Sequence, residues 1–153
     1  MEQREVEYLG KWDAAFNQVE EEFKNLTDPQ VIDDIADEIF GLEHIETLNR
    51  EYQVIDAQYV GIYCKAEPLL TNLRRTRDVE EAEKSVNATS MLELLPSTND
   101  RKMWVRNELK EYEIRITRAK TLIDLLKARK RFLYRQDERL AQLGHNIRRL
   151  MSH

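Results

Sequence analysis

From Ile45 onward the apolar residues Ile45, Leu48, Tyr52, Ile55, Tyr59, Ile62, Ala66, Leu69 and Leu73 recur at alternating intervals of three and four. That is the 3.5-residue repeat of a helix burying one narrow seam. A second series, Val105, Leu109, Tyr112, Ile116, Ala119, Ile123 and Leu126, does the same. Continued at sevens, Leu133, Leu140 and Ile147 keep half of this seam apolar, while the other half meets Lys130, Asp137 and Gly144. The buried stripe is therefore expected to drift onto Leu143 and Leu150, as a straight helix of 3.6 residues per turn does. Two helices of about 32 and 50 residues would span roughly 48 and 75 Å. These patterns predict an all-α fold: an elongated helical hairpin or coiled-coil-like bundle with two long heptad-patterned helices and a short N-terminal helical pair.

The remaining elements are shorter. A first helix over about residues 3–25 carries Leu9, Trp12, Phe16, Val19, Phe23 and Leu26 at helical spacing and stops at Thr27-Asp28-Pro29. Asp28 can cap, and Pro29 can open, a second helix over about 29–40. That helix would bury Ile32, Ile35, Ala36 and Ile39, turn Asp33, Asp34, Asp37 and Glu38 to water, and leave through Gly41. Residues 1–41 thus read as an acidic N-terminal helical pair and 42–153 as the hairpin, with helices over about 42–77 and 100–150. The Ser, Asn, Thr and Pro96 of residues 78–99 predict the connection, with Asn99 or Asp100 capping the last helix. Pro68 predicts a kink near Cys64 or a break.

Charge is asymmetric along the chain. Residues 1–63 hold 4 basic and 16 acidic side chains, whereas residues 101–153 hold 15 basic and 6 acidic, within a total of −5 over 153 residues. The basic end can meet an acidic surface or a polyanion. Other chemistry finds little support. The Glu-x-x-His spacing of a carboxylate-bridged metal pair is absent, because Gly41, Gln142 and Leu150 precede His44, His145 and His153 by three. No G-x-S-x-G, P-loop or Gly-rich phosphate cradle occurs. The single cysteine, Cys64, cannot form an internal disulfide and reads as a small buried residue. No catalytic role, metal or cofactor is expected. The acidic start lacks the order of a signal peptide, and no apolar run approaches a membrane span, so a cytoplasmic, membrane-free chain is expected.

The segment KARKRFLYR, Lys127 to Arg135, concentrates basic residues beside two aromatics, and residues 125–136 contain no acid. On a helical projection Lys127, Arg131 and Arg135 share one face within about 80°, opposite Leu126, Leu133 and Leu140. Phe132 falls beside Leu125 and is expected to broaden the buried side. Tyr134 borders the cations and is the ring placed to stack on an exposed base. Trp104, beside Arg101, Lys102 and Arg106, reads as a core anchor.

The segment NDRKMWVRNELKEYEIRITRAKTLIDLLKARKRFLYRQDERLAQL, residues 99–143, preceded by a long helix ending in LRRTR, resembles small helical proteins of phage recombination modules. In the recombination-mediator family of that kind, basic helical pairs form rings that bind single-stranded DNA and assist recombinase loading. The resemblance implies a non-catalytic oligomer with Arg101, Lys102, Lys127, Lys130, Arg131 and Arg135 as phosphate contacts. Single-stranded DNA, further copies of the chain and a recombinase or other protein are then the expected partners, in a host cytoplasm. Two rival expectations stand beside it: a structural or adaptor coiled coil acting through helix–helix interactions, and an acidic inhibitor that mimics nucleic acid through residues 28–40.

Overall fold

The computed structural model describes residues 1–29, 31–32 and 42–152. Among them the chain is all-α, with four helices, of which α1, α2 and α4 bury apolar seams: α1 (Gln3–Lys24), α2 (Leu42–Thr89), α3 (Thr98–Glu108) and α4 (Lys110–Met151). The helix expected over 29–40, with its acidic face and its Gly41 exit, lies outside the described residues except for Pro29, Val31 and Ile32.

The first helix follows its sequence pattern closely, burying Leu9, Trp12, Phe16 and Val19. In α2 the seam runs as expected from Ile45 through Ala66 and then departs from strict heptads. Leu70, 6% exposed, replaces Leu69 as the buried residue, and Leu73, Glu80, Lys84 and Ala88 continue the stripe. Its average spacing is thereby close to the 3.6 residues of a straight helix. Because the seam persists, α2 reaches Thr89, and the connection expected over 78–99 narrows to residues 90–97. Two of the buried positions in that stretch are charged, which hid the seam from an apolar count. The helix is not interrupted at Pro68. Pro68 and Cys64 both lie on the exposed face, where the Cys64 carbonyl that loses its amide partner can face water. Cys64 is therefore exposed, not buried, since it falls between the seam positions Ile62 and Ala66.

The last helical stretch opens about two residues earlier than expected. Ser97, at φ −99° and ψ 154°, is its N-cap, and its hydroxyl accepts from the Asp100 amide at 3.0 Å. Asn99 and Asp100 are already helical. Leu109 separates α3 from α4, yet its amide bonds to the Val105 carbonyl and its carbonyl accepts from the Glu113 amide, both at 3.1 Å. The ladder is bridged across that residue. Further along α4, Gln136, Leu140 and Gly144 occupy the seam, Leu143 is half-buried, and Leu150 is 76% exposed, so the expected drift ends before Leu150. Phe132, expected to look inward, is 38% exposed, and Trp104 is half-buried.

The chain divides into two compact units. The first comprises Met1–Glu21 and Lys65–Ile123. In it α1 runs antiparallel to α2, with the Trp12 indole donating to the Leu69 carbonyl at 2.9 Å and Arg4 paired to Glu80. Its interior is not wholly apolar. The Glu5 carboxylate, 2% exposed, receives Lys84 Nζ at 3.2 Å, the Tyr112 hydroxyl at 3.2 Å and the Glu2 amide at 2.8 Å. Arg115 grips Asp13 through two bonds of 2.8 Å, and Arg118 pairs with Glu20 while covering the Phe16 ring. The second unit comprises Glu22–Cys64 and Asp124–His153. Here α2 and α4 are antiparallel: Tyr59 meets Leu126, Tyr52 meets Leu133, and Gly144 lies 3.6 Å from Ile45 if given a Cβ. The Gln136 side-chain oxygen accepts from the Ile32 amide at 3.0 Å, and Arg129 sits over Phe23.

Candidate functional site

The basic half of the sequence separates into neutralised and unneutralised cations. In the first unit the acids of α1 take up Arg115 and Arg118, and Arg77 is held by Asp78, Glu81 and Glu113. The pairs raise the affinity of all three guanidinium groups for their protons, with Asp13 and Glu20 the leading causes for Arg115 and Arg118. In the second unit Lys127, Arg131 and Arg135 are exposed on α4, and among the described residues no carboxylate pairs with them. Spaced at i, i+4 and i+8, they stand about 6 Å apart along the helix axis. They form a positive stripe opposite the buried Leu126, Leu133 and Leu140. Such a stripe retains its charge for a polyanion because no carboxylate among the described residues has to be displaced first.

Lys130 and Tyr134 flank the stripe. The Lys130 ammonium lies 5.7 Å from the centre of the Tyr134 ring, close enough for a cation–π contact. Tyr134 is 52% exposed. On another side it lines a small cavity of about 80 Å³ with Tyr52, Gln53, Asp56, Leu133 and Asp137. Burial, followed by the charges of Asp137 and Glu51, pushes the Tyr52 phenol up to about 12. One Asp56 carboxylate oxygen is buried there with no hydrogen-bond partner. Tyr134 therefore stands between a cationic and an anionic neighbourhood.

Arg101 and Lys102 belong to the first unit. The Arg101 guanidinium donates to the Leu95 carbonyl at 3.1 Å and the Thr98 hydroxyl at 3.3 Å, closing the loop before α3. Lys102 is exposed and shares a shallow cavity of about 520 Å³ with Arg77, Arg101 and Arg106. Of the seven residues singled out from sequence, the structure thus brings Lys127, Lys130, Arg131, Tyr134 and Arg135 together on one helix and leaves the other two in a separate unit.

Beside the stripe lies a feature the sequence pattern missed. Tyr59, Val60 and Tyr63 of α2 and Leu126, Lys127 and Lys130 of α4 line a groove of about 250 Å³. Tyr59 and Leu126 are 2% exposed and form its floor, while Val60 and Tyr63 are 41% and 38% exposed. Tyr63 was the available signal, being an aromatic residue one position off the α2 seam. Among the described residues, no three His, Cys, Asp or Glu side chains are grouped to hold a metal ion, and no helix is long and apolar enough to cross a membrane. Comparison with protein-family models, curated proteins and solved structures finds no match to this chain.

Proposed function

We propose that this chain is a non-catalytic binding protein whose second unit holds single-stranded nucleic acid along Lys127, Arg131 and Arg135. The observation that carries this reading is the contrast in charge pairing. Arg115 and Arg118, on the same helix, are saturated by acids of α1, whereas the three cations downstream stay unpaired among the described residues. A face meant only for solubility gains from mixed signs and i,i+4 pairs, and over residues 125–136 this one carries no acid. Aromatic groups beside the cations favour single strands over duplex, because unstacked bases offer their faces to rings. A part in DNA recombination is what the resemblance of residues 99–143 adds to this reading.

Fluorescence polarisation with labelled single-stranded DNA tests it. Three phosphate contacts give a log–log salt slope of about −2, so affinity should fall roughly 20-fold between 50 and 200 mM salt. Changing Lys127, Arg131 and Arg135 together to Glu should abolish binding. If the wild-type protein fails to bind at low salt, the reading is wrong.

Self-association through a separate face is the second reading. Leu125, Phe132 and Leu150 are 48%, 38% and 76% exposed, and with half-buried Leu143 they recur at intervals of 7 and 11, which keeps them on one flank of α4. Sedimentation should then give an oligomer whose mass is insensitive to salt, as burial of apolar surface requires. A salt-resistant monomer removes this reading and leaves the first.

A further inference from the structure

The groove beside the stripe has a composition that the stripe alone does not explain. Its floor is apolar and aromatic, its open wall is Tyr63 with Val60, and the two side chains at its mouth are both lysines. At about 250 Å³ it lies below the roughly 300–1,000 Å³ of sites that enclose drug-sized ligands, which suits a single heterocycle. Lysine ammonium groups are donors without acceptors, so the mouth selects oxygen-rich, anionic surroundings for whatever ring enters. Lys127 is also the first member of the unpaired stripe. A group seated in the groove is therefore joined directly to the path of phosphates running on to Arg131 and Arg135.

We infer that this groove is a base slot: one unstacked nucleobase of a bound single strand enters between Tyr63 and Leu126, with its flanking phosphate on Lys127 and Lys130. The inference rests on the proposed binding of single-stranded nucleic acid and assigns the stacking surface to Tyr63 of α2. Tyr134 is less suited, because its ring is already engaged by Lys130 on one side and borders the carboxylates Asp56 and Asp137 on another, where a phosphate would be repelled. Duplex DNA cannot fill the slot without unstacking a base, so the groove adds selectivity for single strands to an otherwise general electrostatic surface. An apolar side chain of a partner protein would occupy the floor and leave both ammonium groups without an anion.

The test compares oligo(dT) with an abasic oligonucleotide of equal length, which keeps the phosphates and lacks the bases. Polarisation titrations at low salt would use wild type, Tyr63→Ala, Tyr63→Phe and the triple Glu variant of the stripe. Tyr63 is 38% exposed, so neither substitution empties a core, and far-UV circular dichroism checks that each variant is folded. Wild type should bind oligo(dT) about 5- to 150-fold more tightly than the abasic strand, the span expected for stacking of one base. Tyr63→Ala should remove that gap without changing abasic binding, and Tyr63→Phe should keep it. Equal binding of the two strands by wild type, or a gap that survives Tyr63→Ala, overturns the slot. The triple variant separates the two claims: if it lowers affinity for both strands, the stripe stands though the slot has failed. Absence of any binding by wild type overturns both.

Discussion

Replacing Lys84 by Met tests whether the charged interior of the first unit is a matched set. Methionine keeps most of the length of lysine and removes its charge, leaving Glu5, 2% exposed, with the Tyr112 hydroxyl and the Glu2 amide as its remaining donors. Breaking a buried pair from one side costs about 3–5 kcal/mol, because the surviving charge is uncompensated. Two donors remain, so the lower end, about 3 kcal/mol, applies. At about 2–4 °C per kcal/mol for a chain of this size, the midpoint of thermal unfolding should fall by roughly 6–12 °C. The pH dependence carries a sign. Burial raises the proton affinity of Glu5, but the Glu2 amide, Lys84 and Tyr112 together outweigh it, and its pKa is lowered overall. A depressed carboxylate contributes stability above its unfolded pKa and loses it as pH falls through the folded value. Wild type should thus lose this contribution in the acid range below the ordinary glutamate pKa, and the variant should lose less there, having little left. Combining Glu5→Gln with Lys84→Met should recover at least 1 kcal/mol relative to the sum of the single changes, since neither charge is then stranded. The assay is thermal and urea unfolding followed at 222 nm. A Lys84→Met midpoint within 1–2 °C of wild type, or strict additivity in the double variant, would refute the compensation argument.

Two further outcomes follow from single side chains. Cys64 is exposed, so it should react fully with a thiol reagent in the folded protein, without denaturant; protection until unfolding would contradict its placement. Tyr52 titrates near 12 in the folded state against about 10 when unfolded, so its contribution is intact below pH 10 and disappears as pH rises towards 12. Tyr52→Phe should flatten alkaline unfolding in that window by on the order of 2 kcal/mol. An unchanged alkaline profile in the variant would show that the phenol is not held neutral by its surroundings.

What could be read from sequence and what could not have the same physical origin. Apolar periodicity marked α1 and the seam from Ile45 to Ala66, because those buried positions carry apolar side chains that touch one another. It failed at Glu80, Lys84 and Gln136, which are equally buried but are polar, their cost offset by partners distant in sequence. Residues 78–89 therefore looked like a connection although they are helix. Strict heptads misplaced Leu69, since the helix keeps 3.6 residues per turn and the seam migrates, while the drift expected to reach Leu150 stops short of it. The cationic stripe was legible, as it needs only one helix and its period. The groove was not, because Tyr59, Val60 and Tyr63 meet Leu126 and Lys130 only through the antiparallel pairing of α2 and α4. Charges on Arg101 and Lys127 look alike in sequence; only the loop carbonyls around Arg101 distinguish them.

The two units are interleaved along the chain, and that sets the order in which their parts are made. Residues 22–64 are made before residues 65–123, yet the first unit is complete once Ile123 has emerged, whereas the second still needs residues 124–153. The Ile32 amide must wait 104 residues for Gln136. At about 5–20 residues per second that delay is on the order of 5–20 s. During it Ile45, Leu48, Tyr52, Ile55 and Tyr59 form a helix surface without its partner, and the first unit closes only near the end of the wait. A chain truncated after residue 123 would hold the residues of the first unit beside a bare apolar strip, the species most exposed to chaperones and to aggregation.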